Sequence, residues 1–258
     1  MADCNFYLLA LLEKLSAGEF VSKLKHEDLL VSGVPHGWIL EPHGSGTKDL
    51  VAHAWNLFLL TRSNNQDVDR TAQKHGVACV RGTVSIPQAQ DDQLAANKSK
   101  PATPSKDTPP LPQEWSNGKT GRIPDRHWLP AKSSPLQPGE LKLYNPMATY
   151  LSTALPTAVR DKPVSLFNLF QYRDGDPSVH EHYMQGFKDK FGPAAGAALK
   201  FMGPASLQGW QDANLVQYDS VWHYAYMLST EVYAELNTEK VRGLEDTCIL
   251  LVSEAELQ

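Results

Sequence analysis

The stretch from residue 163 to the end constrains the fold more than any other. Val164 to Tyr172 (VSLFNLFQY) is a mostly apolar and aromatic run that reads as a strand. Ser178 to Phe191 reads as a helix, Ala197 to Gly203 and Ala213 to Tyr218 as strands, Val221 to Leu236 as a second helix, and Asp246 to Ser253 (DTCILLVS) as a last strand.

That order, β-α-β-β-α-β, is the ferredoxin-like unit. Its two helices cover one face of the sheet. The other face is apolar here too, so something else must cover it. The first part of the chain offers a partner. Phe6 to Leu12 is a strand, followed by Ser16 and Glu19 at the spacing of a capping box and an apolar stripe of Phe20, Val21 and Leu24. Gly37 to Glu41 and Trp55 to Thr61 are strands, Val68 to His75 a short helix, and Val77 to Ile86 a strand; His43 to Gly46 is a flexible turn. The same order recurs. Phe6–Leu12 matches Ser165–Tyr172, and Trp55–Phe58 matches Ala213–Val216. The expected fold is α+β: two ferredoxin-like repeats packed sheet-to-sheet as an intrachain pseudo-dimeric α/β barrel. The expected domains are residues 1–87, a Pro-rich linker with a short helix at 88–162, and residues 163–258. The chain is expected as a monomeric pseudo-dimer or a homodimer.

Within the linker, Pro101, Pro104, Pro109, Pro110 and Pro112 make residues 98–112 an extended or disordered connector. Trp128 and Leu129, in the run Ile123–Leu129, are positioned to dock on the body. Met147 to Val159 is a linker helix, opened by Pro146 and interrupted near Pro156. The net charge of −5 gives no reason to expect a nucleic-acid partner. Three scattered cysteines argue against a disulfide framework or a cysteine zinc site and fit a reducing compartment. Phe6 to Leu12 lacks the basic start of a signal peptide and falls short of the about 20 apolar residues of a membrane span. Cytoplasmic location without membrane insertion is expected. Asn97-Lys98-Ser99 fits a glycosylation sequon and, without a secretory signal, reads as a chance match.

The run Tyr218 to Ser229 (YDSVWHYAYMLS), with Tyr233, Asn237 and Leu244 to Leu250, resembles the dimeric α/β-barrel superfamily. More narrowly it is similar to fungal two-repeat proteins related to the DUF1330 and EthD-type families. Tyr7–Leu12 and Trp55–Leu60 fit the same group. The resemblance covers most of the chain except the Pro-rich connector. It implies the fold and a range of chemistries: cofactor-free monooxygenases, isomerases, decarboxylases, dehydratases and, in fungal secondary metabolism, cyclases such as a norbornene-forming Diels–Alderase. It supplies no catalytic motif to carry over.

The residues themselves narrow this range. Gly44 to Lys48 lacks the order of a phosphate loop and the spacing of a nucleophile elbow, and no Gly-x-Gly-x-x-Gly follows a strand. No cofactor is expected, and no metal. His180 and His182 lie two residues apart on a helix, about 200° apart around it, and cannot share an ion. They read as solvated or partly packed. His223 follows a strand in the first turn of a helix capped by Ser220, where a neutral imidazole is favoured. It is read either as an acid–base group or as a fold-supporting histidine. Tyr224 and Tyr172 join it as candidate catalytic residues. Trp222, Tyr226, Tyr233 and Tyr183 form an aromatic set that is either core or cavity wall. Asn168 shares a face with Leu166, Phe170 and Tyr172, and either bonds a neighbouring backbone or points into a cavity. Lys200 interrupts its strand in the same way, and Asn56 and Asn214 are further polar strand residues. Trp38, His36, His53 and Trp55 are candidates to line the same cavity from the other half. The expected ligand is a small apolar metabolite held between the repeats. Three functions are then open: a cofactor-independent cyclase or pericyclase on a terpenoid or polyketide, a decarboxylase, dehydratase or isomerase using His223, and a non-catalytic binding protein.

Overall fold

The computed structural model describes residues 1–25, 27–44, 47–62, 66–98, 102–116, 141, 145–191 and 195–254. The Ile123–Leu129 docking segment, the Ser45-Gly46 part of the expected turn and the end of the sequon lie outside them. Among the described residues there are eight strands: β1 Ala2–Ala10, β2 Leu29–Leu40, β3 Leu57–Arg62, β4 Ala78–Ile86, β5 Val164–Tyr172, β6 Ala197–Leu207, β7 Trp210–Tyr218 and β8 Leu244–Glu254. The helices are α1 Ala17–Val21, α2 Lys48–Val51, α3 Asp67–Lys74, α4 Gln88–Asn97, α5 Gln113–Ser116, α6 Asn145–Thr149, α7 Thr157–Arg160, α8 Ser178–Lys190, α9 Val221–Leu228 and α10 Glu231–Gly243.

The strands close into one antiparallel barrel in the order β1-β3-β2-β8-β5-β7-β6-β4. Each half contributes four strands in the order fourth, first, third, second. The halves therefore meet edge to edge at two seams, β2–β8 and β4–β6. The expected barrel is thus one closed sheet, joined at its edges. Open edges would leave rows of backbone N–H and C=O groups unpaired, and closure pairs them. A glycine of the second strand of each half permits both seams. A Cβ on Gly203 would collide with the Ser85 carbonyl oxygen, and one on Gly33 would meet the Ser253 carbonyl at 2.8 Å.

Alternation along the strands sends one set of side chains inward and the other out. Inward, Phe6, Phe58, Phe167, Phe201, Leu215 and Leu250 fill the barrel, with the Phe167 ring 5.0 Å from Phe6 and 4.9 Å from Phe58. The space expected between the repeats is thus a packed core along the barrel axis. Outward, Tyr7, Leu9, Leu57 and Leu59 lie against Phe20, Val21, Val68 and Ala72. On the other half, Leu166, Val216, Ile249 and Leu251 face the layer of α8, α9 and α10.

Several boundaries shift for local reasons. The Ser16–Glu19 capping box is made in both directions. β2 begins at Leu29, well before the expected Gly37, because the turn-like run Gly33-Val34-Pro35-His36-Gly37 is carried within the strand by a bulge between Pro35 and Gly37. The single helix expected over Val221–Leu236 is two. Ser229 Oγ donates to the Tyr226 carbonyl, while Thr230 Oγ1 donates to Met227 and caps Tyr233, so the hydroxyls end one helix and start the next. α4 occupies the start of the expected linker, with Leu94 buried. The linker helix is α6, a π-type turn over Tyr150–Ala154, and α7 after Pro156.

Candidate functional site

A cavity of about 40 Å3 lies outside the barrel, between the C-terminal half of the sheet and its helices. β5 supplies Leu166, Asn168 and Phe170, and β7 supplies Asn214, Val216 and Tyr218. Above them are Tyr183, Met184 and Phe187 of α8, Tyr224 and Met227 of α9, and Tyr233 and Lys240 of α10. The space equals roughly three water positions.

Lys240 gives the cavity its charge. On α10 the buried positions Tyr233, Leu236, Lys240 and Gly243 recur at helical spacing, which turns the lysine to the sheet. It is 2% exposed, and its ammonium has no hydrogen bond or ion pair among the described residues. No described carboxylate lines the cavity. Burial alone therefore drives the ammonium down from 10.5 to about 8. Cys248, from the barrel side, opposes this only if ionised, and burial holds its own thiol well above the ordinary range.

Facing Lys240 across the cavity, Asn168 and Asn214 are direct neighbours on β5 and β7. Asn168 Nδ2 donates to Asn214 Oδ1 at 2.7 Å and to the Leu166 carbonyl at 3.0 Å. The other amide atoms of the pair, an acceptor and a donor, take no partner among the described residues. Tyr183, buried beside them, has its phenol raised to about 12 by desolvation.

A second polar group lies one layer away. His180, in the first turn of α8, is fully buried between the rings of Phe170 and Tyr183 at 4.2 and 5.7 Å. Tyr172 Oη donates to the Asp212 carboxylate and lies 3.2 Å from His180 Nδ1. With its proton on Asp212, that oxygen is free to accept, which fixes the proton of His180 on Nδ1. Nε2 is left bare and without a partner among the described residues. Burial first, and the Lys240 charge second, hold His180 down at about 3, so it is neutral. Burial raises Asp212, and the Tyr172 hydroxyl pulls it back. The solvated reading of His180 is corrected by this burial: its helix face turns onto β5.

Of the residues expected at the site, Asn168, Tyr183 and Tyr224 line this cavity. Tyr172 stands behind it through His180. Tyr226 turns to Trp115, with ring centres 5.6 Å apart. The Trp222 indole donates to Asp161 at 2.8 Å. Trp55 donates to the Leu50 carbonyl, and Trp38 packs against the barrel core, both far from the cavity in the other half of the sheet. His223 is half-buried beside Gly196, and its Nδ1 lies 2.9 Å from Ser220 Oγ. Burial lowers its proton affinity, against the pull of Asp219. It does not line the cavity. Lys200 is paired with Glu254 in a separate cleft of about 230 Å3 at one end of the barrel, lined by both halves, including Leu30, Leu94, Leu199 and Gln217. There the two charges neutralise each other, whereas Lys240 has no counter-ion among the described residues.

Lys240 and Asp212 were not singled out from the sequence. Reading the helix as ending at Leu236 removed Lys240 from the apolar stripe that would have marked it. Among the described residues, no group of three or more His, Cys, Asp and Glu is placed to hold a metal. No described helix is long and apolar enough to cross a membrane.

No protein-family model and no curated protein matches the chain. Among solved structures it is similar to a protein of unknown function from Rhodopseudomonas palustris, 19% identical, over 36% of this chain and 83% of the other, with a TM-score of 0.31. A provisionally named monooxygenase from Lactobacillus acidophilus aligns over 98% of this chain and 94% of its own at 10% identity, with a TM-score of 0.49. A second such protein, from Fusobacterium nucleatum, aligns over 98% and 91% at 7% identity, with a TM-score of 0.45. Likeness of this degree carries no argument about chemistry.

Proposed function

We propose that this chain is an enzyme that acts on a small carbonyl compound in the cavity beneath α8, α9 and α10. Its chemistry is acid–base transfer by the chain's own side chains, in the class of isomerases, dehydratases and decarboxylases. The halves are then two ferredoxin-like repeats joined in one barrel; the shared strand order supports that reading.

One observation carries the proposal: Lys240 is buried in a cavity with no counter-ion among the described residues. A fold that hides an unpaired charge loses stability for it, and such groups concentrate where chemistry is done. A group near pH 8 is close to the value that serves best as acid and base near neutrality. In its charged form Lys240 stabilises negative charge developing on a substrate oxygen, an effect strengthened by the dry surroundings. In its neutral form it takes a proton from the carbon beside the carbonyl. The free amide donor of the Asn168–Asn214 pair orients that oxygen. The neutral state of His180, set by burial, spares Lys240 a second cation nearby.

Size separates this reading from a cyclase. A terpenoid or polyketide needs a site of several hundred Å3, typically about 300 or more, and the cavity is about 40 Å3. The acid–base class comes first for that reason, with Lys240 in place of His223 as proton carrier. The test is deuterium exchange in D2O at the carbon beside the carbonyl of small aldehydes, ketones and β-keto acids, followed by NMR. The native protein is expected to accelerate exchange of at least one compound about a hundredfold over Lys240→Met, the low end for a positioned acid or base. If no compound exchanges faster with protein than in buffer, a purely binding role replaces the enzyme.

A further inference from the structure

We propose that Lys240 is a nucleophile that captures a small aldehyde or ketone as an imine inside this cavity. The inference rests on the acid–base reading of the same site and names its substrate class and covalent step. The geometry supplies each requirement. An amine attacks a carbonyl only when deprotonated, and lysines become nucleophiles where an apolar pocket withholds solvation from the ammonium. Burial favours that state, and no described carboxylate lining the cavity opposes it. α8 presents His180 and Tyr183, α9 Tyr224, α10 Tyr233, β7 Tyr218 and β8 Cys248. None of these is a carboxylate, so no carboxylate among them holds the proton on the ammonium. Among the described cavity-lining residues of β5, Asn168 contributes its amide beside the apolar Leu166 and Phe170. The fall of Lys240 to about 8 agrees with this surrounding.

The reaction needs no added oxidant or reductant. The Nζ lone pair forms a bond to the carbonyl carbon, and the C=O π pair moves to oxygen, which takes a proton from the nitrogen. The carbon–oxygen bond of this carbinolamine then breaks, the nitrogen loses its remaining proton, and one water leaves. The Asn168–Asn214 pair, on the opposite wall, has a free amide donor for the oxygen while charge builds on it. The cavity has room for roughly three waters, so a bound compound of a few heavy atoms displaces them and protects the imine from hydrolysis.

The experiment is reductive trapping of the full-length protein with acetone and cyanoborohydride, followed by peptide mass mapping. At about pH 7, Lys240 is expected to gain one isopropyl group about tenfold faster than exposed Lys48 and Lys190, because ordinary lysines are almost fully protonated there. The advantage is expected to vanish at about pH 10.5, where surface amines are also neutral. Lys240→Arg, which keeps the charge but forms no imine, is expected to lose the adduct at that position alone. Trapping of Lys48 and Lys190 with Lys240 unmodified overturns the imine. If deuterium exchange nevertheless persists in that case, the acid–base reading stands without the covalent step. If exchange is also absent, both fall.

Discussion

Replacing Lys240 with methionine should make the protein more stable, and the gain should depend on pH. The fold lowers the ammonium from 10.5 to about 8. At 1.36 kcal/mol per unit, this corresponds to about 3 kcal/mol. The sign follows from proton counting. Below about pH 8 the lysine is charged in both folded and unfolded chains, and folding bears the full cost of burying it. Between about 8 and about 10.5 the unfolded chain holds a proton that the folded chain has released, so native stability rises with pH. Methionine fills a similar volume without charge and removes this dependence. Urea denaturation should give a variant more stable by about 3 kcal/mol at about pH 7, a midpoint shift of about 1 M at a slope of about 3 kcal/mol/M. The gap should close by about pH 10.5. Tyr183 and Cys248, both raised by burial, destabilise the native chain at high pH. They do so in both proteins, so the difference isolates Lys240. A variant no more stable than the native chain near neutrality, or a gap constant with pH, refutes the view of Lys240 as an uncompensated buried charge.

Other substitutions probe the remaining parts of the argument. Gly203→Ala should cost about 1–3 kcal/mol, the usual range for overpacking, and speed hydrogen exchange at Thr83 and Val84, because its Cβ strikes the Ser85 carbonyl at the β4–β6 seam. Gly18→Ala, in a helix with open space around it, should instead stabilise by about 0.5–1 kcal/mol in the same denaturation assay. Tyr172→Phe should cost about 1–3 kcal/mol by leaving His180 and Asp212 short of a partner, and an NMR titration should find the Asp212 carboxyl raised further. His223→Ala should leave deuterium exchange of the small carbonyl compounds unchanged, since the imidazole lies outside the cavity; loss of exchange would restore it as the proton carrier.

The sequence by itself determined where most strands and the longer helices lie. Strand periodicity in Val164–Tyr172, the Ser16–Glu19 cap and the apolar stripes are local signals, readable from a few neighbouring residues. It also pointed to a recurring strand pattern in the two parts of the chain, with apolar residues on both strand faces. Tertiary structure decided how those faces are used. Edge pairing at β2–β8 and β4–β6 joins residues far apart in sequence, closes the expected barrel into one sheet, and fills the space expected between the repeats with phenylalanines. It also moved the polar cavity to the opposite face, beneath the C-terminal helices. Asn168 and Tyr183 were legible because a polar or phenolic residue in an apolar run must find a partner. Lys240 was not, because a lysine late in a helix is ordinarily solvated. Only the packing of α10 on the sheet withdraws it from water and from any described anion. His180 is decided likewise: its place in α8 was visible, but its bare nitrogen depends on Tyr172 and Asp212 meeting across two strands.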